Sequence, residues 1–516
     1  MRIYIQQHRI YVNTSFRSYQ PLELGSHLFT LGSGVRVSEL YNLQRSQGEL
    51  DFVDVDVERD SRLFVDPAAL RQMHGEWARD SVALIQDFFQ TVINAIRDGN
   101  DEWAVELLSG LREPNETHLG FSSRKSRGRA LGPGSAEEVW EALSHSEATQ
   151  TGLLAHLEDT ALLVYGIGPD IVSDIATNLM RSPLIAYTQN ISDYYGIPLE
   201  PGVATGPLWN PAKSEWTPGD FEPLPVAAGH RLLLVPKVIV RHELEYDTDD
   251  YLNNYIIPYL EHQEIAANSE LVRTIKYNGH KKVTKTALAE KYGLRKDDII
   301  RITLSAAAEE DDLLARYRRS RDEAPARTLG EVDLATATGA TITDWDQLIA
   351  SVEAVAPGAA GANAYHSAVE RLLSAVFAPS LSMPMKEYKI HNGRKRIDIA
   401  YANTGSADFF AWAAQHHPAA NVFVECKNYT GDPANPELDQ LAGRFSPTRG
   451  KLGFLCCRSF EDKDLFIQRC RDTALDQQGF IIALDDSDLG TVVGFQRDSQ
   501  PSQITTFLKA RFDQLT

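Results

Sequence analysis

The stretch VFVECKNY at residues 422–429 constrains this chain more than any other. Val422, Phe423 and Val424 open a strand dense in β-favouring apolar side chains, and the same strand runs on into Glu425, Cys426 and Lys427. A period of two sends Val422, Val424 and Cys426 to one face and Phe423, Glu425 and Lys427 to the other. A carboxylate and an ammonium on a core strand need a partner, a ligand or a chemical task, because unpaired buried charge is expensive.

The surrounding sequence supplies a setting for that strand. NAYHSAVERLLSAVF, from residue 363, places Tyr365, Val369, Leu372, Leu373, Val376 and Phe377 on one helical stripe, with Glu370 at its border and Pro379 closing the helix. KEYKIHNGRKRIDIAY at 386–401 reads as two alternating runs joined by Asn392-Gly393, a strong hairpin signal. On the second run Ile397, Ile399 and Tyr401 share one face while Arg396 and Asp398 share the other. A helix over 406–416 then returns the chain to VFVECKNY. Beyond it, Asn435 as cap and Pro436 at the first position begin a helix carrying Gln440, with Arg444 one turn further. GKLGFLCCRS, a helix near 462–478 and GFIIALDD add two more strands around a helix. Asp398 and Glu425 can therefore share a face, with Lys427 one step along. Two ionised carboxylates at such range raise each other's pKa, and a divalent cation with a taste for hard oxygen ligands, Mg²⁺ or Mn²⁺, removes the conflict. An ammonium beside such an ion orients an attacking water, which is the outline of metal-assisted phosphodiester hydrolysis.

Asp-x26-Glu-x-Lys on a hairpin strand and its neighbour, preceded by a helical Glu, resembles the PD-(D/E)XK nuclease superfamily over about residues 362–490. In detail it is similar to restriction-endonuclease-like domains with an ECK strand motif, found in bacterial restriction and anti-phage defence proteins. The resemblance implies an α/β core with a mixed central sheet flanked by helices. It implies that Asp398 and Glu425 are metal ligands, that Cys426 lends its backbone carbonyl, and that Lys427 is the catalytic lysine. Glu370 would be the helical acid that helps hold metal or water, and Gln440 the polar residue of the following helix. Ile397 stands where the motif's name puts proline, a position without a catalytic task. Arg394, Lys395 and Arg396 of the hairpin, with Arg444, Arg449 and Lys451, would line the approach of a nucleic-acid backbone, contacts that position without specifying sequence. DNA is the implied substrate because this motif family acts chiefly on DNA; the residues themselves do not separate it from RNA.

At 516 residues the chain exceeds one core, and three regions are expected: an α+β region over 1–225, a central region over 226–340, and the nuclease-like region over 341–516. In the first, LDFVDVDVERD at 50–60 alternates as a half-buried strand, and a long amphipathic helix over 68–97 stops at the DGN of 98–100. Residues 161–179 read as an apolar strand, a glycine turn and a helix capped by Asp170; the third glycine of a dinucleotide fingerprint is missing. The proline-rich 197–226 reads as a long surface connection, and 231–243 as a strand interrupted by Pro236. TKTALAEKYGLRKDDIIRI at 284–302 has a helix-turn-helix outline around Gly293, although Asp297 and Asp298 weaken its second helix as a DNA reader. A helix over 343–355 capped by Thr343 and a PGAAG linker at 357–361 lead into the C-terminal region.

Composition narrows the partners. An apolar share of 43% and a charged share of 24% are ordinary for a globular protein, and no run of 18 apolar residues exists, so no membrane partner is expected. The start, MRIYIQQHRIYVN, lacks a signal-peptide apolar stretch, and four cysteines without CxxC spacing read as reduced thiols, both pointing to the cytoplasm. A net charge of −20 argues against a chain-wide nucleic-acid surface but leaves room for local basic segments, such as RKSRGR at 124–129 and nine Lys or Arg over 271–303. The expectation is a Mg²⁺-dependent deoxyribonuclease of restriction or anti-phage defence, with residues 1–350 regulating or targeting it. Two others remain: a DNA-binding regulator using 284–302 with the nuclease-like region as scaffold, and a repair or junction-resolving nuclease. One site cuts one strand, so a homodimer would suit double-strand cleavage.

Overall fold

The computed structural model describes residues 4–6, 9–11, 34–120, 133–274, 280–309, 311–324, 327–390, 395–405 and 408–516, the side chains of 4–6, 9–11, 133–135, 387–390 and 395–397 excepted. The chain divides into two units, Met1–Gly34 and Val35–Thr516. In the first, Tyr4–Gln6 and Arg9–Tyr11 pair antiparallel. In the second, buried apolar side chains gather in two clusters, one drawn from Val37–Leu334 and the other from Leu348–Leu515.

The first cluster is built mainly on helices. The amphipathic pattern after residue 67 yields Pro67–Gln72, capped by Asp66, and then α1 (Glu76–Arg97), the two separated at Gly75, whose φ of +115° few other residues adopt. Asp98 and Gly99 end α1 as the DGN signal predicts. Next come α2 (Pro169–Leu179) and α3 (Arg181–Tyr195), which closes on a left-handed Gly196. Several expectations are corrected here. Residues 50–60 form no strand, only the isolated bridges of Phe52 with Pro236 and Asp56 with Arg36. Their alternation misleads because both faces meet protein: Phe52, Val53 and Val55 enter the core, while Asp51 accepts from Tyr187 and Asp54 from Ser38. The apolar run at 161 is the end of helix Asp159–Leu163, and Gly168, not Asp170, occupies the N-cap of α2. The proline-rich stretch is not a plain connection. Glu200–Ala204 pairs with Phe221–Leu224 and Leu208–Asn210 with Glu215–Thr217, the latter pair stitched by Trp209 and Trp216 packing edge to face on each other and on Phe88. Pro236 does interrupt the next strand, turning it into a 3-10 turn at Lys237–Ile239.

The helix-turn-helix outline is present as α4 (Lys285–Tyr292), Gly293 at φ +93°, and α5 (Lys296–Ala308). Its second helix is a packing element. Ile299, Ile300 and Ala306 are buried, Lys296 donates to the carbonyls of Ala161 and Val164 at 2.9 Å each, and Arg295 and Arg301 both pair with Asp298.

The C-terminal cluster surrounds a five-stranded mixed sheet. Helices α6 (Trp345–Glu353) and α7 (Ala362–Val376) precede β1 (Leu381–Ile390) and β2 (Lys395–Asn403), with the Asn392-Gly393 turn outside the described residues. Asp344, not Thr343, caps α6; the Thr343 hydroxyl bonds Glu331 and Ser46 instead. Helix α8 (Phe409–His416) leads to β3 (Asn421–Lys427), α9 (Asn435–Ala442) to β4 (Leu452–Cys457), and α10 (Lys463–Leu475) to β5 (Phe480–Asp485). The strands lie in sequence order, antiparallel from β1 to β3 and parallel from β3 to β5, as expected where helices supply the crossovers. Helices α11 (Asp486–Arg497) and α12 (Pro501–Asp513) finish the chain. The PGAAG segment is pinned: Asn428 Nδ2 donates to the carbonyls of Ala356 and Gly358, and Gly358 N–H donates back to the Asn428 carbonyl. Among the described residues, no helix is long and apolar enough to cross a membrane.

Asn403 ties this region together from within. Its buried amide donates to the Phe410 and Ala419 carbonyls at 2.9 Å each, joining β2 to α8 and the approach to β3. Asn403→Ala strands both carbonyls and is expected to cost about 2 kcal/mol, read as a lower urea midpoint; an unchanged midpoint contradicts this account.

Candidate active site

The β2–β3 ladder sets the site. Ile399 stands opposite Val424, so one step along Asp398 stands opposite Glu425, and directly opposed residues share a face. Cys426 N–H donates to Asp398 Oδ2 at 3.1 Å, fixing that carboxylate against the strand. Glu425 is only 1% exposed and has both oxygens engaged. Its Oε1 accepts from Lys427 Nζ at 2.8 Å and from Gln440 Nε2 at 2.9 Å, and its Oε2 pairs with Arg444. Lys427 Nζ also reaches Gln440 Oε1 at 3.5 Å.

Local sequence explains why these groups meet. Apolar residues 422–424 commit the strand to the core, and the odd positions carry Glu425 and Lys427 to one side. Helix α9 then starts with Pro436 in its first turn and a Glu437 carboxylate accepting the Ala434 N–H at 2.8 Å. Ala434 is therefore the cap, one residue before the expected Asn435. Gln440 on α9 and Arg444 just past its end are four apart and face Glu425 together.

Two carboxylates, one ammonium and one guanidinium make the cluster formally neutral. Burial pulls the Lys427 ammonium down, but the charge and hydrogen bond of Glu425, with smaller contributions from Tyr429 and Asp398, together hold the group above its ordinary value. Lys427 is thus a cation at neutral pH, suited to holding negative charge and not to accepting a proton. Contact with Cys456, then burial, pushes the Cys426 thiol well above its usual range, so it behaves as packing. Among the described residues no group of three or more His, Cys, Asp or Glu side chains is placed so that it could hold a metal ion.

Glu370 does not join this cluster. The residue is 0% exposed on α7, and its carboxylate takes Arg45 Nη1 at 3.1 Å, Arg45 Nη2 at 2.7 Å and the Tyr194 hydroxyl at 2.6 Å, with Lys386 Nζ 3.7 Å away. The stripe border that suggested a site beside the core faces the N-terminal segment instead. Burial works to raise this carboxyl, and Arg45, Lys386 and the Tyr194 hydroxyl together more than offset it, leaving it below its ordinary value. The same seam holds Arg371 against Glu49, Arg371 Nη2 against the Gln44 carbonyl at 2.8 Å, and Met383 N–H against Asp51 Oδ1 at 3.0 Å. Arg444, expected at a phosphate, is buried on Glu425. Arg449 Nη2 donates to the Arg444 carbonyl at 3.1 Å, and Lys451 Nζ to the Gln477 carbonyl at 2.8 Å. Arg394 and the side chains of Lys395 and Arg396 lie outside the described residues.

Comparison with known proteins bears on the partner of this seam. Residues 42–247 match a family model described as a domain of unknown function (DUF8370). No curated protein and no solved structure matches the chain. The matched segment contains Gln44, Arg45, Glu49, Asp51 and Tyr194, every N-terminal residue of the seam just described. Sequence reading missed these residues because Arg45 and Glu370 are 325 positions apart and neither sits in a local pattern.

Arg45→Met leaves a buried carboxylate with only the more distant Lys386 as its cation and is expected to cost about 3 kcal/mol, seen as earlier urea unfolding. Pairing it with Glu370→Gln recovers much of that loss. Because the Glu370 carboxyl is held low, its contribution is complete above the ordinary carboxylate value and disappears as pH falls through the folded value. A double variant no better than Arg45→Met refutes the coupling.

Proposed function

We propose that residues 341–516 are a metal-dependent deoxyribonuclease with a restriction-endonuclease-like core of the PD-(D/E)XK type. The observation that carries this reading is the bonded group of Glu425, Lys427 and Gln440, with Asp398 of the neighbouring strand held on the Cys426 N–H between the first two. An isolated salt bridge has no need of a second acid opposite the first or of an amide reaching both members.

The donor set fits a small hard cation in part. Mg²⁺ commonly takes one or two carboxylates and fills its octahedron with water and phosphate oxygens. Asp398, Glu425 and the Cys426 carbonyl would hold it, and Mg²⁺ or Mn²⁺ bound there would supply Lewis-acid activation of water and neutralise phosphate charge. Glu425, however, is already balanced by Lys427 and Arg444. A cation entering a neutral cluster brings excess positive charge that a phosphodiester relieves, so metal and substrate are expected to bind together. Lys427 would hold the attacking water or a phosphoryl oxygen, Gln440 would keep Lys427 and Glu425 aligned, and Arg444 would fix Glu425 from behind.

The N-terminal region would restrain or target this activity, in keeping with restriction or anti-phage defence in the cytoplasm. The support is the seam around Glu370, which joins DUF8370-matched residues to the helix and strand that precede the hairpin. A homodimer would let two sites cut both strands of DNA. A repair or junction-resolving role differs in substrate and not in chemistry. The DNA-binding regulator gains little from α5, whose basic residues are spent on Asp298 and on two carbonyls.

Incubating the full chain with linear, circular and single-stranded DNA, and with RNA, in Mg²⁺, Mn²⁺ or EDTA tests the proposal. Cleavage is expected only with metal and with DNA, falling by about 100-fold or more in Asp398→Ala and in Lys427→Ala. Equal cleavage by wild type and Lys427→Ala, or none under any condition, removes it.

A further inference from the structure

A cavity of about 510 Å³ opens at the start of α3, inside the segment matched by the family model and apart from the site above. That volume is typical of small-molecule sites. Its polar wall carries Arg112, Arg181 and Arg231 with His118 and His230, beside Asn115 and the two acids Glu113 and Glu116. Arg181 is 2% exposed and held rigidly, giving Nε to Glu116 at 2.9 Å, Nη1 to the Pro207 carbonyl at 2.8 Å and Nη2 to Asn178 at 3.1 Å. Glu116 is thereby neutralised, with Arg231 Nη2 a further 3.4 Å away.

Several groups around this cavity are left without partners. His118 is 9% exposed, and its Nδ1 has no hydrogen-bond partner. Arg231 Nε is buried and equally unpaired. A buried polar atom left without a partner costs about 1–3 kcal/mol; the Arg231 Nε–H, and His118 Nδ1 in the tautomer that carries its proton, both on residues lining the cavity, call for a ligand with acceptor oxygens. Arg112, exposed at the mouth, adds a free fork. Glu113 on the rim, its Oε2 also buried without a partner, opposes an anion when ionised; burial and then Asp60 push its carboxyl up. The feature is local: the neighbouring cavity is lined by Glu138, Glu141, Glu147, Asp170, Asp174 and Asp297, and the chain carries a net charge of −20.

We infer that this cavity binds a small phosphate-bearing molecule of mononucleotide size. Guanidinium forks match phosphate oxygens, and His118 can supply a further donor. The volume exceeds what one phosphate fills, and Val203, Ala204 and Gly229 offer an apolar wall for the body of the ligand.

Calorimetric titration of the full chain with inorganic phosphate, pyrophosphate, AMP and ATP decides the matter. Saturable binding of at least one probe is expected, tightest for a nucleotide, and weakened by about tenfold in Arg112→Gln/His118→Gln. Arg112→Gln alone, exposed and unable to disturb folding, weakens it in the same direction. Asp398→Ala binds as wild type does, which separates this cavity from the C-terminal cluster. No saturable heat with any probe at millimolar concentration, or unaltered affinity in Arg112→Gln, overturns the inference; preferential binding of phosphate over AMP and ATP overturns the assignment of a nucleotide-sized ligand.

Discussion

The carboxylate of Glu425 is the point on which the C-terminal region turns. It lies buried in the sheet, and three side chains, from strand β3, helix α9 and the turn after it, converge to make its presence tolerable. Removing a charge from water is repaid only when geometry and hydrogen bonding are both good, and even then an apolar replacement is often as stable. A sheet that keeps such a group is organised around it. Strand β3 brings Lys427, helix α9 brings Gln440, and the turn after α9 brings Arg444, so the whole stretch 421–444 reads as a holder for one negative charge. Asp398 opposite adds the second acid that a purely structural ion pair would lack.

What was legible in the sequence follows the range of the interactions. The C-terminal strands and helices are local patterns, period two or 3.6 with turn residues between them, and their positions agree closely with the reading. Lys427, Glu425 and Gln440 meet because they are carried on adjacent elements of one short stretch. Where contacts reach across the chain, the same reasoning fails for physical reasons. Residues 50–60 alternate, yet Asp51 and Asp54 are satisfied by Tyr187 and Ser38, partners no local window contains. Glu370 has the spacing of a site residue but answers to Arg45, 325 positions earlier. The proline-rich 197–226 reads as a connection because its strands are too short to display a period; the pairing shows only in three dimensions, where Trp209 packs on Trp216.

The seam at Glu370 makes the N-terminal segment part of the setting of the C-terminal sheet. Arg45, Tyr194 and Lys386 enclose one carboxylate, while Asp51 and Glu49 fasten the flanks. The contact is polar and buried, a combination that is specific in geometry and sensitive to the loss of any single member. An apolar seam would slide; this one registers.

Helix α3 gives that registration a reach. Arg181 at its first residue forms a wall of the cationic cavity, and Tyr194 near its last donates to Glu370. Thirteen residues of rise separate them, about 20 Å of hydrogen-bonded rod. One helix thus carries both a wall of the cavity and the phenol hydroxyl that reaches the buried carboxylate of the other hydrophobic core.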